Sequence, residues 1–270
     1  MPSSHAVPLG RVIVRPQPSM VRSGGGVTLS FCTTCCNRTD SLKRVFDENR
    51  RLIDDATDVE WVIVNFSSTD DLDDFMEAKL PSSSNRIIYA RDLVAKQWHM
   101  SVAKNLAHRL GRGRVIVNLD CDNVIGSAIE TVRRAFQLGV QVLHMWSGRY
   151  GDGTCGRIAI AAHEFVSLGG YDEAFYPMGY DDLDLLRRAR ARGLRIASGN
   201  EGLSIDCAIQ NTRAESVANC GSAIGTWAEW NRANRRQSAQ NIAAGRVIAN
   251  LGAGWTPTVV DVHCGSSINA

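Results

Sequence analysis

Short apolar runs alternate with amphipathic stripes through the first half of the chain. Residues 27–31, 60–64 and 86–89 are rich in β-branched and aromatic side chains and are bounded by polar ones, the pattern of buried strands. Between the first two, Leu42, Val45, Phe46, Leu52 and Ile53 recur at helical spacing behind Asp40, which can cap that helix. Trp98, Val102, Leu106 and Leu110 recur every four residues and predict a second helix, ended by Gly111. Residues 114–118 form a further apolar strand that stops abruptly at Asp120, Cys121 and Asp122. Ser127 and Glu130 then make a capping-box pair ahead of Ile129, Val132 and Phe136, Gly139 stops the helix, and residues 140–146 read as another strand.

The second half changes texture. Residues 157–162 are strand-like, Gly169-Gly-Tyr-Asp-Glu173 is a turn, and residues 175–180 form an aromatic loop. A helix follows at 181–192, acidic in its first turn and Arg-rich in its last, as the helix dipole favours. Trp227 and Trp230 open a polar, Arg-bearing helix running to about residue 249. Core packing is the expected role of the tryptophans, with stacking under a sugar ring as the other reading. Arg232, Arg235 and Arg236 read as a solvated face, with a phosphate contact as the alternative.

Strands alternating with helices imply an α/β domain with a mostly parallel sheet and right-handed crossovers. Ligands of such sheets sit beyond the carboxyl ends of the strands. The polar turns at 33–38, 65–71 and 120–123 all fall on that edge. Asp120 and Asp122, at i and i+2 on a strand end, project to one side and repel each other. A hard divalent cation, Mn²⁺ or Mg²⁺, relieves that repulsion and shares its oxygen ligands with substrate phosphates.

Composition narrows the partners. With 270 residues, 44% hydrophobic and 21% charged, the chain can bury a substantial core. A net charge of +2 gives no support to a nucleic-acid or membrane partner. The eight cysteines lack a second pair at zinc-ligand spacing, so reduced thiols of a cytoplasmic protein are expected. No signal pattern and no long uncharged apolar segment is present, which predicts a chain without a membrane span. The first 26 residues, rich in Pro, Ser and Gly, read as a loose arm with an edge strand at 11–14.

Five blocks in order then resemble the GT-A fold of nucleotide-sugar glycosyltransferases, most closely family 2 and the carboxyl-terminal region of β-1,4-galactosyltransferases and chondroitin-polymerase-like enzymes. The blocks are residues 31–38 with Asn37-Arg38, the pair Lys104-Asn105, Asn118-Leu-Asp-Cys-Asp-Asn123, Gly169-Gly-Tyr-Asp-Glu173, and Gly179-Tyr-Asp-Asp-Leu-Asp-Leu185. The resemblance implies a Rossmann-like catalytic domain at 27–199, with a nucleotide-binding half at 27–123 and an acceptor-side half at 140–199. Residues 200–270 follow as a helical extension packing on it.

It also implies an inverting, metal-dependent transfer from a nucleoside-diphosphate sugar, a UDP-sugar by preference, to a saccharide or other hydroxyl acceptor. Thr33, Asn37, Arg38, Asn65, Lys104, Asn105 and Asp120 are then expected around the nucleotide. Asp120 and Asp122 would hold Mn²⁺ or Mg²⁺, with Asp206 or His263 as third ligand. Asp181 would be the catalytic base, and Gly170, Tyr171, Tyr180 and Asp182 would meet the sugar or acceptor, Asp182 as an orienting group. One departure is Asn65-Phe66, where the family often has an acidic pair contacting uracil. A nucleotidyltransferase and a non-catalytic sugar- or nucleotide-binding protein are the alternatives; the first usually has a Gly- and Lys/Arg-rich loop after strand one, absent here. No motif names the sugar, the acceptor or the oligomeric state.

Overall fold

The computed structural model describes residues 7–14, 28–150, 152–199, 217–218, 225–252 and 254–266. In chain order its elements are β1 (Val7–Val14), β2 (Leu29–Cys35), α1 (Thr39–Asp55), β3 (Val59–Asn65), α2 (Leu72–Lys79), β4 (Ile87–Asp92), α3 (Met100–Leu110) and β5 (Val115–Asn118). They continue with α4 (Ala128–Gln137), β6 (Val142–His144), β7 (Ile158–Ala161), α5 (Ala162–Ser167), α6 (Asp181–Ala191), β8 (Ile196–Ser198), α7 (Trp227–Ala243) and β9 (Thr258–Cys264).

All nine strands join one sheet in the order β1-β9-β4-β3-β2-β5-β7-β6-β8. The centre, β4-β3-β2-β5, is parallel. Antiparallel pairings flank it: β9 runs against β4 and β1, and β7 against β5 and β6. The C-terminal segment is therefore not helical throughout. Buried Thr258, Val260, Val262 and Cys264 alternate with half-buried residues to make β9 a strand, inserted between β4 and the N-terminal β1. The edge strand expected at 11–14 is the end of β1.

Period-2 alternation sorts the strand side chains into two cores, one on each face. Phe31, Trp61 and Ile63 pack with Leu42, Phe46 and Ile53 of α1 and with Val132 of α4. Cys32, Val62 and Val64 pack with Leu106 and Leu110 of α3, Leu185 of α6 and Trp230 of α7. Every residue of β3 is buried, as a strand covered on both faces must be.

Two predicted caps differ. Ser127 makes no capping hydrogen bond, and Glu130 instead pairs with Arg133 at 2.6 Å. Helix α1 starts one residue before Asp40, and the N–H of buried Thr39 donates to Asp70 at 3.0 Å, so the cap comes from the neighbouring turn. A full capping box forms on α7, where Thr226 N donates to Glu229 at 2.8 Å and Glu229 N donates back to Thr226. No helix among the described residues is long and apolar enough to cross a membrane.

Candidate active site

The turns after β2, β3 and β5 meet at the carboxyl edge of the parallel strands, where open α/β sheets bind ligands. Polar residues of the first two turns are spent on each other. Asn37, with φ of +53°, accepts from Thr69 N at 2.7 Å and donates its own N–H to Ser68 Oγ at 3.0 Å. Asn65 Oδ1 accepts from Ser68 N at 3.0 Å, and its amide donates to Asp73 at 2.8 Å. These two side chains fix the rim and leave little to offer a base edge. Thr33 is fully buried and accepts from Trp61 Nε1 at 2.9 Å, so it is a core contact and not a nucleotide contact.

Arg38 reaches across to the acidic turn, its Nη2 lying 2.6 Å from Asp122 Oδ2. The other Asp122 oxygen accepts from Asn123 Nδ2 at 2.6 Å. Helix α1 braces the same turn: Asn49 donates to Asn123 O at 2.9 Å and accepts from Ile125 N at 2.7 Å. Asp120 accepts from Asn118 Nδ2 at 3.2 Å, and that amide also donates to Gly156 O at 2.9 Å. Burial raises the Asp120 pKa; nearby Lys104 works against the rise and Asp122 adds to it. Two adjacent carboxylates, one of them disfavoured as an anion, are a fitting donor set for a hard cation that completes its shell with phosphate oxygens. Among the described residues no group of three His, Cys, Asp or Glu side chains gathers for a metal.

Of the third-ligand candidates, His263 is not brought to this turn. His263 lies on β9 opposite Tyr89, with β4, β3 and β2 between it and β5. At about 4.8 Å per strand that is roughly 19 Å away. Asp206 lies outside the described residues.

Across the crevice from the acidic turn, α6 begins at Asp181 after Tyr180, whose φ of 67° is left-handed. Buried Lys104 on α3 lies 2.9 Å from Asp181 and 2.7 Å from Asp182. The lysine therefore neutralises the carboxylate pair and is not free to meet a phosphate. The Asp181 side chain is 4% exposed and that of Asp182 17% exposed, and both line a cavity of about 340 Å³ together with Tyr180. Burial pushes the Asp182 carboxyl up to about 7; Lys104 opposes the rise and Asp181 reinforces it.

Asn105, next to Lys104, clamps the Gly-Gly-Tyr turn. It donates to Tyr171 O at 2.9 Å and accepts from Tyr171 N at 2.8 Å. Gly170 has φ of +70°, and a Cβ there would come 2.4 Å from the Asn105 oxygen, so only glycine fits. Tyr171 is fully buried beneath Lys104, 5.1 Å from the ammonium to the ring centre. Asn105, Gly170 and Tyr171 thus shape the site from below and do not line it.

Gly156 joins the two acidic groups, and no sequence signal marked it. A Cβ at this position would lie 3.2 Å from both Asp120 Oδ2 and Asp182 Oδ2, which places the two carboxylates close against one bare backbone position. With no left-handed φ at Gly156, Gly156→Ala should fold normally. Turnover should nevertheless fall more than nucleotide affinity does. Steady-state kinetics beside a binding titration would read the difference, and equal losses in both would refute it.

Residues 30–153, centred on this nucleotide half, match the sequence model of Glycosyl transferase family 2. Solved structures of similar fold include Staphylococcus aureus TarS in complex with UDP, at 13% identity and a TM-score of 0.52 over 66% of this chain and 59% of that one. A mannosyltransferase from Pyrobaculum calidifontis, in complex with GDP-Man and Mn²⁺, has 16% identity and a TM-score of 0.51 over 70% of this chain and 57% of its own. The catalytic domain of Drosophila β1,4-galactosyltransferase 7, in complex with xylobiose, has 10% identity and a TM-score of 0.50 over 76% and 79% of the two chains. The fold is GT-A. No curated protein sequence matches the chain. The chain spans less than two thirds of the length of these bacterial and archaeal proteins.

Proposed function

We propose that this glycosyltransferase transfers a sugar from a nucleoside-diphosphate sugar, UDP-linked by preference, to an acceptor hydroxyl with inversion, and that Asp182 is the base. The closeness of Asp120 and Asp182, both beside Gly156, carries the reading, because a sugar whose diphosphate is held at the acidic turn would lie within reach of that base. The TarS complex with UDP and the mannosyltransferase complex with GDP-Man and Mn²⁺ support a diphosphate donor and a divalent cation. Asp120 and Asp122 would hold that cation, Mn²⁺ or Mg²⁺; when bound it neutralises charge developing on the departing phosphate oxygens.

Asp182, half-ionised near neutrality, accepts the hydroxyl proton as the oxygen attacks the anomeric carbon. Attack from the face opposite the diphosphate breaks the sugar–phosphate bond and inverts the centre. Lys104 holds Asp181 and Asp182 in place and keeps their combined charge tolerable. Asp181, the less exposed of the two, anchors the lysine. Arg38 supplies a cation at the acidic turn that can turn from Asp122 to the diphosphate. A reducing, cytoplasmic setting is part of this reading: none of the six described cysteines is in a disulfide, and five of them are buried.

The first test is calorimetric titration of UDP into wild type and Asp122→Ala, with Mn²⁺ and then with EDTA. Binding that needs the metal and disappears in the variant is expected. Absence of nucleoside-diphosphate binding under both conditions would end the transferase reading.

A further inference from the structure

The cavity of about 340 Å³ beside Asp182 has a second wall whose chemistry the transfer reaction alone does not require. Trp227, Asn231 and Arg235 stand four residues apart on α7 and form one stripe facing the cavity. Helix α7 is held in position against the aromatic loop, since Asn234 accepts from Tyr176 N at 2.7 Å and donates to Gly179 O at 2.7 Å. Asn231 abuts the same loop, its Cβ 3.1 Å from where a Gly179 side chain would begin. The stripe therefore presents an indole, a carboxamide and, at its exposed end, a guanidinium to one half-open cavity. Arg235 forms no hydrogen bond or ion pair among the described residues.

A cavity already lined by Asp181 and Asp182 gains nothing for hydroxyl recognition from an uncommitted guanidinium, whereas an anion is met by it in planar, two-pronged fashion. The volume sits at the low end of small-molecule sites, enough for one sugar-sized unit. Building on the transferase reading, we propose that the acceptor is a hydroxyl compound carrying an anionic group, a phosphate or a carboxylate. Arg235 holds that group, Trp227 and Asn231 hold the body, and the hydroxyl lies at Asp182. Two helical turns, about 12 Å, separate Trp227 from Arg235, so the anion is kept at the end of the stripe and away from the indole.

The test is calorimetric titration of glucose 6-phosphate, glucuronate and glucose into the full chain, with UDP and Mn²⁺ present and again without them. At least one anionic probe should bind about ten-fold or more tightly than glucose, the factor that one charge-assisted contact carries. Arg235→Met should remove that preference, Arg235→Lys should keep part of it, and Arg236→Met, one residue along and outside the cavity, should keep it whole. Preference for glucose 6-phosphate identifies a phosphate acceptor and preference for glucuronate a carboxylate one. Equal affinity for the three probes, no binding of either anion, or a preference that survives Arg235→Met overturns the proposal. UDP affinity in Arg235→Met should match wild type; wild type that fails to bind UDP refutes the transferase reading, while the titrations without nucleotide still decide the anion site.

Discussion

Asp182→Asn should lower kcat by about 10²- to 10⁴-fold, the usual worth of a general base, while UDP affinity in the presence of Mn²⁺ stays within a few-fold of wild type. The wild-type rate should rise with pH through an ionisation near the carboxyl's value of about 7, and that limb should vanish in the variant. Asp181→Asn, altering the less exposed carboxylate, should keep the limb even if its amplitude falls. A profile that loses its limb in Asp181→Asn and keeps it in Asp182→Asn would return the base to Asp181. Stability supplies an independent reading. A carboxyl whose folded pKa is raised favours the fold most below its unfolded pKa of about 4 and loses that contribution as pH rises through about 7. The wild type should therefore lose stability over that window, and Asp182→Asn should lose less and melt higher at pH 8. Less activity with a firmer fold is what a strained catalytic carboxylate predicts.

The choice between neighbouring carboxylates was not legible in the sequence, and the reason is geometric. Residues 181 and 182 sit about 100° apart on a helix, and the sequence does not say which of them points at the crevice. The resemblance gives the role of base to Asp181. We propose Asp182 instead because that carboxylate is the more exposed of the two and lies with Asp120 against Gly156, while Lys104 contacts both. The acidic turn itself was plain, because an apolar strand ending in Asp120 and Asp122 is a strong local signal. So were β2, β3 and α3, whose apolar spacing matches the elements closely.

Polar turn residues were harder. Thr33, Asn37 and Asn65 carry groups suited to a nucleotide, yet each is occupied by a partner 28 to 32 residues away or by a nearby acid. Such pairing depends on which turns become neighbours, which composition does not encode. The same limit applies to β9. Its alternation is present in the sequence, but its insertion beside β4, which removes His263 from the acidic turn, depends on chain-long topology. The four-residue spacing of Trp227, Asn231 and Arg235 was visible as well; which way that face turns is fixed by the bonds of Asn234 to the loop before α6.

Lys104→Met should be the most destabilising single change at the site. The ammonium, 3% exposed, is the charge that lets Asp181 and Asp182 stay buried together. Burial works to lower the Lys104 pKa, but the two aspartates outweigh it and hold it well above the usual lysine value, so the cation persists throughout the physiological range. Its loss strands two like charges in a dry pocket, and removing one partner of a buried pair costs about 3–5 kcal/mol. Urea unfolding at pH 8 should show that loss as a shift of midpoint with little change in slope. Acidifying to pH 5 should shrink the deficit, because protonating Asp182 removes one of the stranded charges; its raised pKa makes that accessible in mild acid. For the same reason Lys104→Met combined with Asp182→Asn should be more stable than Lys104→Met alone, a coupling that independent sites would not display. A deficit below about 1 kcal/mol, the range of exposed ion pairs, would mean that water screens the cluster, and the case for a base tuned by burial would fall with it.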